Sequence, residues 1–122
     1  MAGKKIMVVD DNRLILEITR DILEGAGYRV ITRNNPIGTT AAIGEERPDC
    51  VMIDVHMPAL PGTQVVKFIK EGRMRETRVL LYSDKDEKEL RRLAKESGAD
   101  GFIRKTSDPA RLIAHLRTFL PE

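Results

Sequence analysis

Short apolar, β-branched segments alternate with longer segments of helical periodicity along the chain. This alternation is typical of repeated β-α units, in which helices cover a parallel sheet. The central short segments are apolar at every position, as strands buried on both faces must be. We therefore expect an α/β fold of five strand-helix units, (βα)5, forming a single domain over residues 1–122. The predicted strands are Lys5–Val9, Tyr28–Thr32, Cys50–Ile53, Arg78–Tyr82 and Gly101–Arg104.

Apolar residues at helical spacing predict which helix faces are buried. Leu14, Ile18 and Ile22 form such a stripe on the first helix, and Leu112 and Leu116 form one on the last. Further stripes are predicted on the third helix (Val65, Phe68, Ile69) and on the fourth (Leu90, Leu93, Ala94).

The helix ends carry their own signals. Asp108 followed by proline predicts the start of the last helix, because Asp caps the free N–H groups and proline fits the first turn. Gly27, Gly72 and Gly98 stand where left-handed C-terminal caps are expected. The second helix, around residues 36–46, has two glycines and adjacent threonines, so we expect it to be short.

Composition narrows the class of protein. The 122 residues have a net charge of +2 with both signs interspersed, which does not indicate direct nucleic-acid binding. The longest apolar runs, such as residues 6–9, are far too short for a membrane span or a signal peptide. The single cysteine, Cys50, lies in an apolar run and is predicted to be a buried thiol in a reducing compartment. We expect a cytoplasmic protein.

Polar residues follow four of the five predicted strands. Asp10 and Asp11 follow the first, Asp54 follows the third, Ser83 follows the fourth and Lys105 follows the fifth. Right-handed crossovers place the carboxyl ends of parallel strands at one edge of the sheet, where ligands of such folds bind. In the strand order 2-1-3-4-5 the first and third strands are neighbours. The three carboxylates are therefore expected to meet in one crevice.

This set of residues suits phosphoryl transfer. Clustered carboxylates repel one another unless a cation is bound, and hard oxygen ligands with open positions suit Mg²⁺. Asp54 could then attack a phosphoryl donor to form an acyl phosphate, with Lys105 neutralising charge and Ser83 donating a hydrogen bond.

Four sequence elements together resemble the receiver domain of two-component response regulators. They are Val8-Val9-Asp10-Asp11, Asp54-Val55-His56-Met57-Pro58, Ser83 and Lys105, and the resemblance covers essentially the whole chain. It implies the doubly wound, flavodoxin-like receiver fold with a five-stranded sheet. It also implies that a histidine kinase or a histidine phosphotransfer protein phosphorylates Asp54. Such a phosphoacceptor, even with autodephosphorylation, is not a conventional multiple-turnover enzyme.

The resemblance further implies roles for individual residues. Asp11 and Asp54 would bind Mg²⁺ (or Mn²⁺) directly, Asp10 would act through water, and the backbone carbonyl of His56 would be a further ligand, with its imidazole turned outward. Ser83 would move toward the phosphoryl group as Phe102 turns inward. The fourth helix, fifth strand and fifth helix would then present the output face to a downstream protein or domain, with homodimerisation left open and no membrane contact expected.

Two residues depart from the family pattern. Asp84 stands where a small residue is usual, so its charge could alter phosphorylation kinetics, or it could be the N-cap of the fourth helix, with Glu87 three residues later. Thr106 replaces the proline whose bond to the lysine is commonly cis. Because a non-proline cis bond costs about 3–4 kcal/mol, we expect either a trans bond with a reshaped loop or a strained exception.

These departures keep a second interpretation open, in which the chain is a pseudo-receiver that binds partners independently of phosphorylation. An aspartyl phosphohydrolase is disfavoured because His56 occupies the position of the second carboxylate that such enzymes need two residues after the nucleophile. No glycine-rich nucleotide-binding loop is present in the sequence.

Overall fold

The computed structural model describes residues 3–72, 74 and 76–121, in which strands and helices alternate from beginning to end. The strands are β1 (Lys5–Val9), β2 (Arg29–Arg33), β3 (Cys50–Ile53), β4 (Arg78–Ser83) and β5 (Gly101–Arg104). The helices are α1 (Arg13–Gly25), α2 (Thr39–Glu46), α3 (Gly62–Glu71), α4 (Glu87–Ser97) and α5 (Pro109–Phe119).

The strands form one sheet in the order β2-β1-β3-β4-β5, and every neighbouring pair is parallel. This confirms the predicted (βα)5 fold with the strand order 2-1-3-4-5. Three strands have the predicted bounds, while β2 begins and ends one residue later and β4 extends to Ser83. All five carboxyl ends therefore lie along one edge of the sheet, which is where the site residues were expected.

The sheet separates two apolar clusters because successive side chains of a strand point to opposite faces. Met7 and Ile53 face the cluster covered by α2, α3 and α4, whereas Val8 and Met52 face the cluster covered by α1 and α5. Cys50 belongs to the second cluster, and its burial raises the pKa of the thiol to about 12. This confirms the prediction of a buried thiol.

The prediction of which face of α1 is buried is wrong, because the helix turns a different face toward the sheet. Leu14 is 63% exposed and Ile18 is 42% exposed, while Leu16, Thr19 and Leu23 are buried. Thr19 is the reason that the pattern misleads: its hydroxyl lies 3.4 Å from that of Tyr82, so a polar residue sits on the buried face with a partner. On α3 Val65 and Ile69 are buried as predicted, but Phe68 is 51% exposed.

The helix ends follow the sequence signals in most places. Asp108 caps α5 by accepting from the N–H of Ala110. Gly98 caps α4 with a left-handed φ of 85°, and Gly27, with φ 96°, follows the last turn of α1. Gly72 is different, because it ends α3 in an extended conformation. The helix α2 is short, as expected.

Among the residues that the structure describes, no helix combines the length and the apolar character that crossing a bilayer requires.

Candidate functional site

Asp10 directly follows β1 and Asp54 directly follows β3, and these two strands are neighbours in the sheet. The N–H of Asp54 donates to the Val9 carbonyl at 2.9 Å, and the N–H of Asp10 donates to the Arg33 carbonyl at 3.0 Å. These bonds extend the pairing of the sheet by one residue beyond the strands. The backbone positions of both aspartates are therefore fixed by the sheet itself.

Three carboxylates meet at this edge. Each of Asp10, Asp11 and Asp54 offers an oxygen, and these oxygens lie within 4.8 Å of one another. Asp10 and Asp54 are buried, being 1% and 5% exposed, whereas Asp11 is open to solvent. The result is an acidic pocket with two enclosed carboxylates and one at its mouth.

Lys105 lies between the two buried carboxylates. Its Nζ is 2.7 Å from Asp10 Oδ2 and 3.4 Å from Asp54 Oδ1. Burial alone would lower the pKa of Lys105, but the hydrogen bond and charge of Asp10 and the charge of Asp54 outweigh it and raise this pKa. Lys105 is therefore held as an ammonium group inside the pocket.

Asp54 has a raised pKa despite this ammonium group. Burial is the largest cause; Lys105 opposes it, and the nearby charge of Asp10 adds to it. The carboxylate form of Asp54 is thus less favourable than in water, and a bound cation would restore it.

The donor set fits a divalent cation. Asp10 Oδ2 is buried and, apart from its short contact with Lys105 Nζ, accepts no hydrogen bond from the described residues. Its Oδ1, by contrast, accepts from the N–H of Asn12 at 2.9 Å. Clustered carboxylate oxygens with spare acceptor capacity are the ligands that Mg²⁺ and Mn²⁺ prefer.

The peptide bond after Lys105 is trans, because no cis bond occurs in the described part of the chain. The Lys105 N–H donates to the Ser83 carbonyl at 2.8 Å, and Thr106 Oγ1 accepts from the N–H of Asp108 at 3.1 Å. Of the two expected possibilities, the trans bond is therefore the correct one. The threonine hydroxyl closes the loop that a proline would otherwise shape.

Ser83 ends β4 with a buried side chain, and its Oγ accepts from the N–H of Lys85 at 3.2 Å. Asp84 is exposed, and the prediction that it caps α4 is wrong. The cap is Asp86, whose carboxylate accepts from the N–H of Glu89 at 2.8 Å. The capping pair is thus displaced by two residues, and Asp84 has no capping role in the structure.

Two further residues of the predicted site lie on its periphery. The side chain of His56 is exposed, while its backbone N–H donates to the Asp54 carboxylate and lowers its pKa. Phe102 is half-buried against the cluster of α2, α3 and α4, and the Arg91 guanidinium lies 5.9 Å from the centre of its ring.

Tyr82 also lies at the site, although no role was predicted for it from the sequence. Its buried ring lies 5.7 Å from Lys105 Nζ, a distance at which an ammonium group is attracted to an aromatic face. Its hydroxyl pairs with Thr19 of α1. A polar-tipped aromatic residue at the end of an otherwise aliphatic strand was the available signal.

Gly62 was also given no role. A Cβ at this position would overlap the carbonyl oxygen of Asp54, and its N–H donates to the Val55 carbonyl at 3.2 Å. The start of α3 is thus packed directly on the backbone of the acidic pocket, which only glycine permits.

Comparison with known proteins gives a consistent result. A sequence model of the response regulator receiver domain matches residues 6–117. The chain is 27% identical to the polar-differentiation response regulator DivK of Brucella anthropi, over 96% of both chains. It is 32% identical to the alkaline phosphatase synthesis transcriptional regulatory protein PhoP of Bacillus subtilis, covering 97% of this chain but 49% of PhoP, so it spans about half of that relative.

Solved structures show the same similarity. The chemotaxis protein CheY4 of Vibrio cholerae superposes with a TM-score of 0.86 at 28% identity, covering 96% of this chain and 98% of that one. The BeF3-activated DrrB receiver domain superposes with a TM-score of 0.80 at 33% identity, covering 98% and 99%.

Proposed function

Since the chain belongs to the response regulator receiver domain family of two-component systems, we propose that it is a phosphorylatable receiver. Asp54 accepts a phosphoryl group from the phosphohistidine of a histidine kinase or a histidine phosphotransfer protein. Residues 1–122 then act as one receiver in a phosphorelay, switching a surface that binds an output protein or domain.

The observation that supports this proposal best is the position of Lys105. Its Nζ contacts both Asp10 and Asp54, so a positive charge already stands beside the carboxylate that would attack phosphorus. A merely structural ion pair would need one carboxylate. The pocket instead brings three carboxylates together, and two of them contact the ammonium group, which leaves negative charge for a cation to balance.

Divalent metal is part of the proposal. Asp11, Asp54 and the backbone carbonyl of His56 would hold Mg²⁺ or Mn²⁺, with Asp10 acting through water. When bound, the ion supplies positive charge that neutralises phosphoryl oxygens and the clustered carboxylates.

The transfer step follows from the residues. A carboxylate oxygen of Asp54 attacks phosphorus, the phosphorus–nitrogen bond of the phosphohistidine breaks, and the imidazole leaves with its electron pair and takes up a proton. Lys105 Nζ and the Ser83 hydroxyl donate hydrogen bonds to phosphoryl oxygens. Attack of water on phosphorus later returns Asp54 and inorganic phosphate.

The switch would run from Ser83 to Phe102. Reorientation of the Ser83 hydroxyl toward the phosphoryl group opens space near β5 that the Phe102 ring can fill. Because Phe102 has no hydroxyl, its inward position depends on packing alone. The contact with Arg91 of α4 would change with it, so the α4-β5-α5 surface is the part that a partner reads.

The test is the mass of the intact protein after incubation with acetyl phosphate and Mg²⁺. We expect a gain of one phosphoryl group, located by peptide fragmentation at Asp54, and saturable binding of beryllofluoride. Asp54→Asn should abolish both, while the matched control Asp21→Asn, which removes an exposed carboxylate on α1, should change neither.

The opposite outcome also has a defined meaning. If the folded protein gains no mass and binds no beryllofluoride at saturating Mg²⁺, the chain is a pseudo-receiver that binds partners independently of phosphorylation. Kinase-independent binding of a partner to Asp54→Asn would then be the property to measure.

A further inference from the structure

A groove of about 400 Å³ lies between α1 and the end of β2, outside the acidic pocket. This volume falls within the range of small-molecule sites in proteins. The described residues that line it include Arg13, Arg20 and Arg33 and one carboxylate, Glu17. The groove is therefore large enough for a small ligand and carries an excess of positive charge.

Among the described residues, the hydrogen-bond partners of the three guanidinium groups are neutral. Arg20 donates to Thr32 Oγ1 at 2.6 Å, and Arg33 donates to a backbone carbonyl at 3.0 Å. Arg13 donates from Nη2 and Nε, at 3.0 and 3.1 Å, to the Asn34 amide oxygen in the orientation that satisfies both groups. Within the described residues, none of the three arginines forms an ion pair with a carboxylate.

Arg33 provides a second, independent indication. Its Nε is buried and has no acceptor among the residues that the structure describes. A buried donor without a partner costs free energy, so Arg33, which also lines the groove, has donor capacity that its described neighbours do not use. Gly38 leaves room for this guanidinium, since a Cβ there would lie 3.2 Å from Arg33 Nη2.

The chemistry of the lining selects the ligand class. Guanidinium groups present paired N–H donors that match phosphate oxygens. No aromatic residue is among the described residues that line the groove, so no ring is available there to stack on a base. We propose that this groove binds a small molecule through a diphosphate group, held by Arg13, Arg20 and Arg33.

The proposal does not depend on phosphorylation of Asp54, which lies outside the groove. It is tested by titration calorimetry of the full chain with inorganic pyrophosphate, in EDTA and without added metal, so that the acidic pocket cannot contribute. We expect saturable binding of one pyrophosphate per chain that weakens as salt increases. Asp54→Asn should bind equally well.

Single substitutions test whether the residues that line the groove bind pyrophosphate. Arg13→Gln and Arg20→Gln should each weaken binding about tenfold, because each removes a charge-assisted contact. Both positions lie on α1, where Gln is a good helix former, so loss of folding is not expected. Glu17→Gln should tighten binding, while Lys67→Gln, which removes an exposed charge on α3, should leave it unchanged.

The comparison of ligands identifies the source of the diphosphate. Equal affinity for ADP and pyrophosphate would support recognition of the diphosphate alone, and tighter binding of ADP would support a nucleotide. The proposal is overturned if no saturable binding occurs at low salt, if citrate binds as tightly as pyrophosphate, or if the α1 variants weaken binding no more than Lys67→Gln does.

Discussion

Asp84 is an exposed carboxylate directly after Ser83, the last residue of β4. Asp86 caps α4 and Asp84 does not, so Asp84 can act only through its charge. A negative charge here repels an incoming phosphoryl donor, which is itself an anion. The residue is therefore expected to slow phosphorylation without contributing to the fold.

Asp84→Asn should accelerate phosphorylation by acetyl phosphate. The gain should be at most about fivefold at low salt, because an exposed charge contributes no more than about 1 kcal/mol. The gain should shrink as ionic strength rises. The measurement is the rate of mass gain at two salt concentrations, and a rate that is unchanged at both would show that the carboxylate does not reach the donor.

Tyr82 is expected to position Lys105. Tyr82→Phe removes the hydroxyl paired with Thr19 and should lower the free energy of unfolding by about 1 kcal/mol, with little effect on phosphorylation. Tyr82→Leu also removes the ring beneath the ammonium group, and should slow phosphorylation several-fold beyond Tyr82→Phe. Urea unfolding and phosphorylation rates separate the two effects, and equal rates in both variants would contradict the positioning role.

Most residues of the acidic pocket could be predicted from the sequence. The convergence of Asp10, Asp11 and Asp54 follows from strand order and from the polarity of residues directly after apolar strands. The contact of Tyr82 with Lys105 could not be predicted, because a polar-tipped aromatic residue in an aliphatic strand is noticeable in the sequence but does not reveal which residue lies beside it. The role of Gly62 could not be predicted either, because its close approach to the Asp54 backbone depends on loop geometry.

At the scale of the element, caps decide where the helices begin. Asp86→Ala should lower the free energy of unfolding by about 1 kcal/mol, because the N–H of Glu89 loses its acceptor. Asp84→Ala is a matched control on the same loop and should leave stability nearly unchanged. Chemical denaturation of both variants measures the difference, and equal losses would mean that the cap is not where the structure places it.

The strands were more predictable than the helix faces. Strands buried on both sides are recognisable from their apolar residues alone, and their bounds follow to within a residue. The buried face of α1 was not predicted correctly, because Thr19 is buried and Leu14 is exposed. Prediction from periodicity assumes that the buried face of a helix is apolar. Thr19 departs from this assumption because its hydroxyl pairs with Tyr82, which lies on β4 and far away in the sequence.

For the whole molecule, the sheet couples two apolar clusters through shared strands. Met52 and Ile53 are neighbours on β3 and face opposite clusters. Met52→Ala and Ile53→Ala should each lower the free energy of unfolding by about 2–5 kcal/mol, through lost contacts and the cavity left behind.

Both variants should still unfold in one transition, because β3 belongs to both clusters. Circular dichroism and NMR followed through the same urea series would measure this. Separate transitions for the two faces in either variant would contradict the coupling.

The chain contains no tryptophan and two tyrosines, and one of these, Tyr82, lies beneath the ammonium group of the acidic pocket. The other, Tyr28, is buried just before β2, at the opposite end of that strand from the pocket. Tyrosine emission of this protein therefore comes from two residues, one of which senses the charges around Lys105. Tyr28→Phe would leave Tyr82 as the sole tyrosine, so selective excitation of tyrosine would give a label-free optical probe of the pocket.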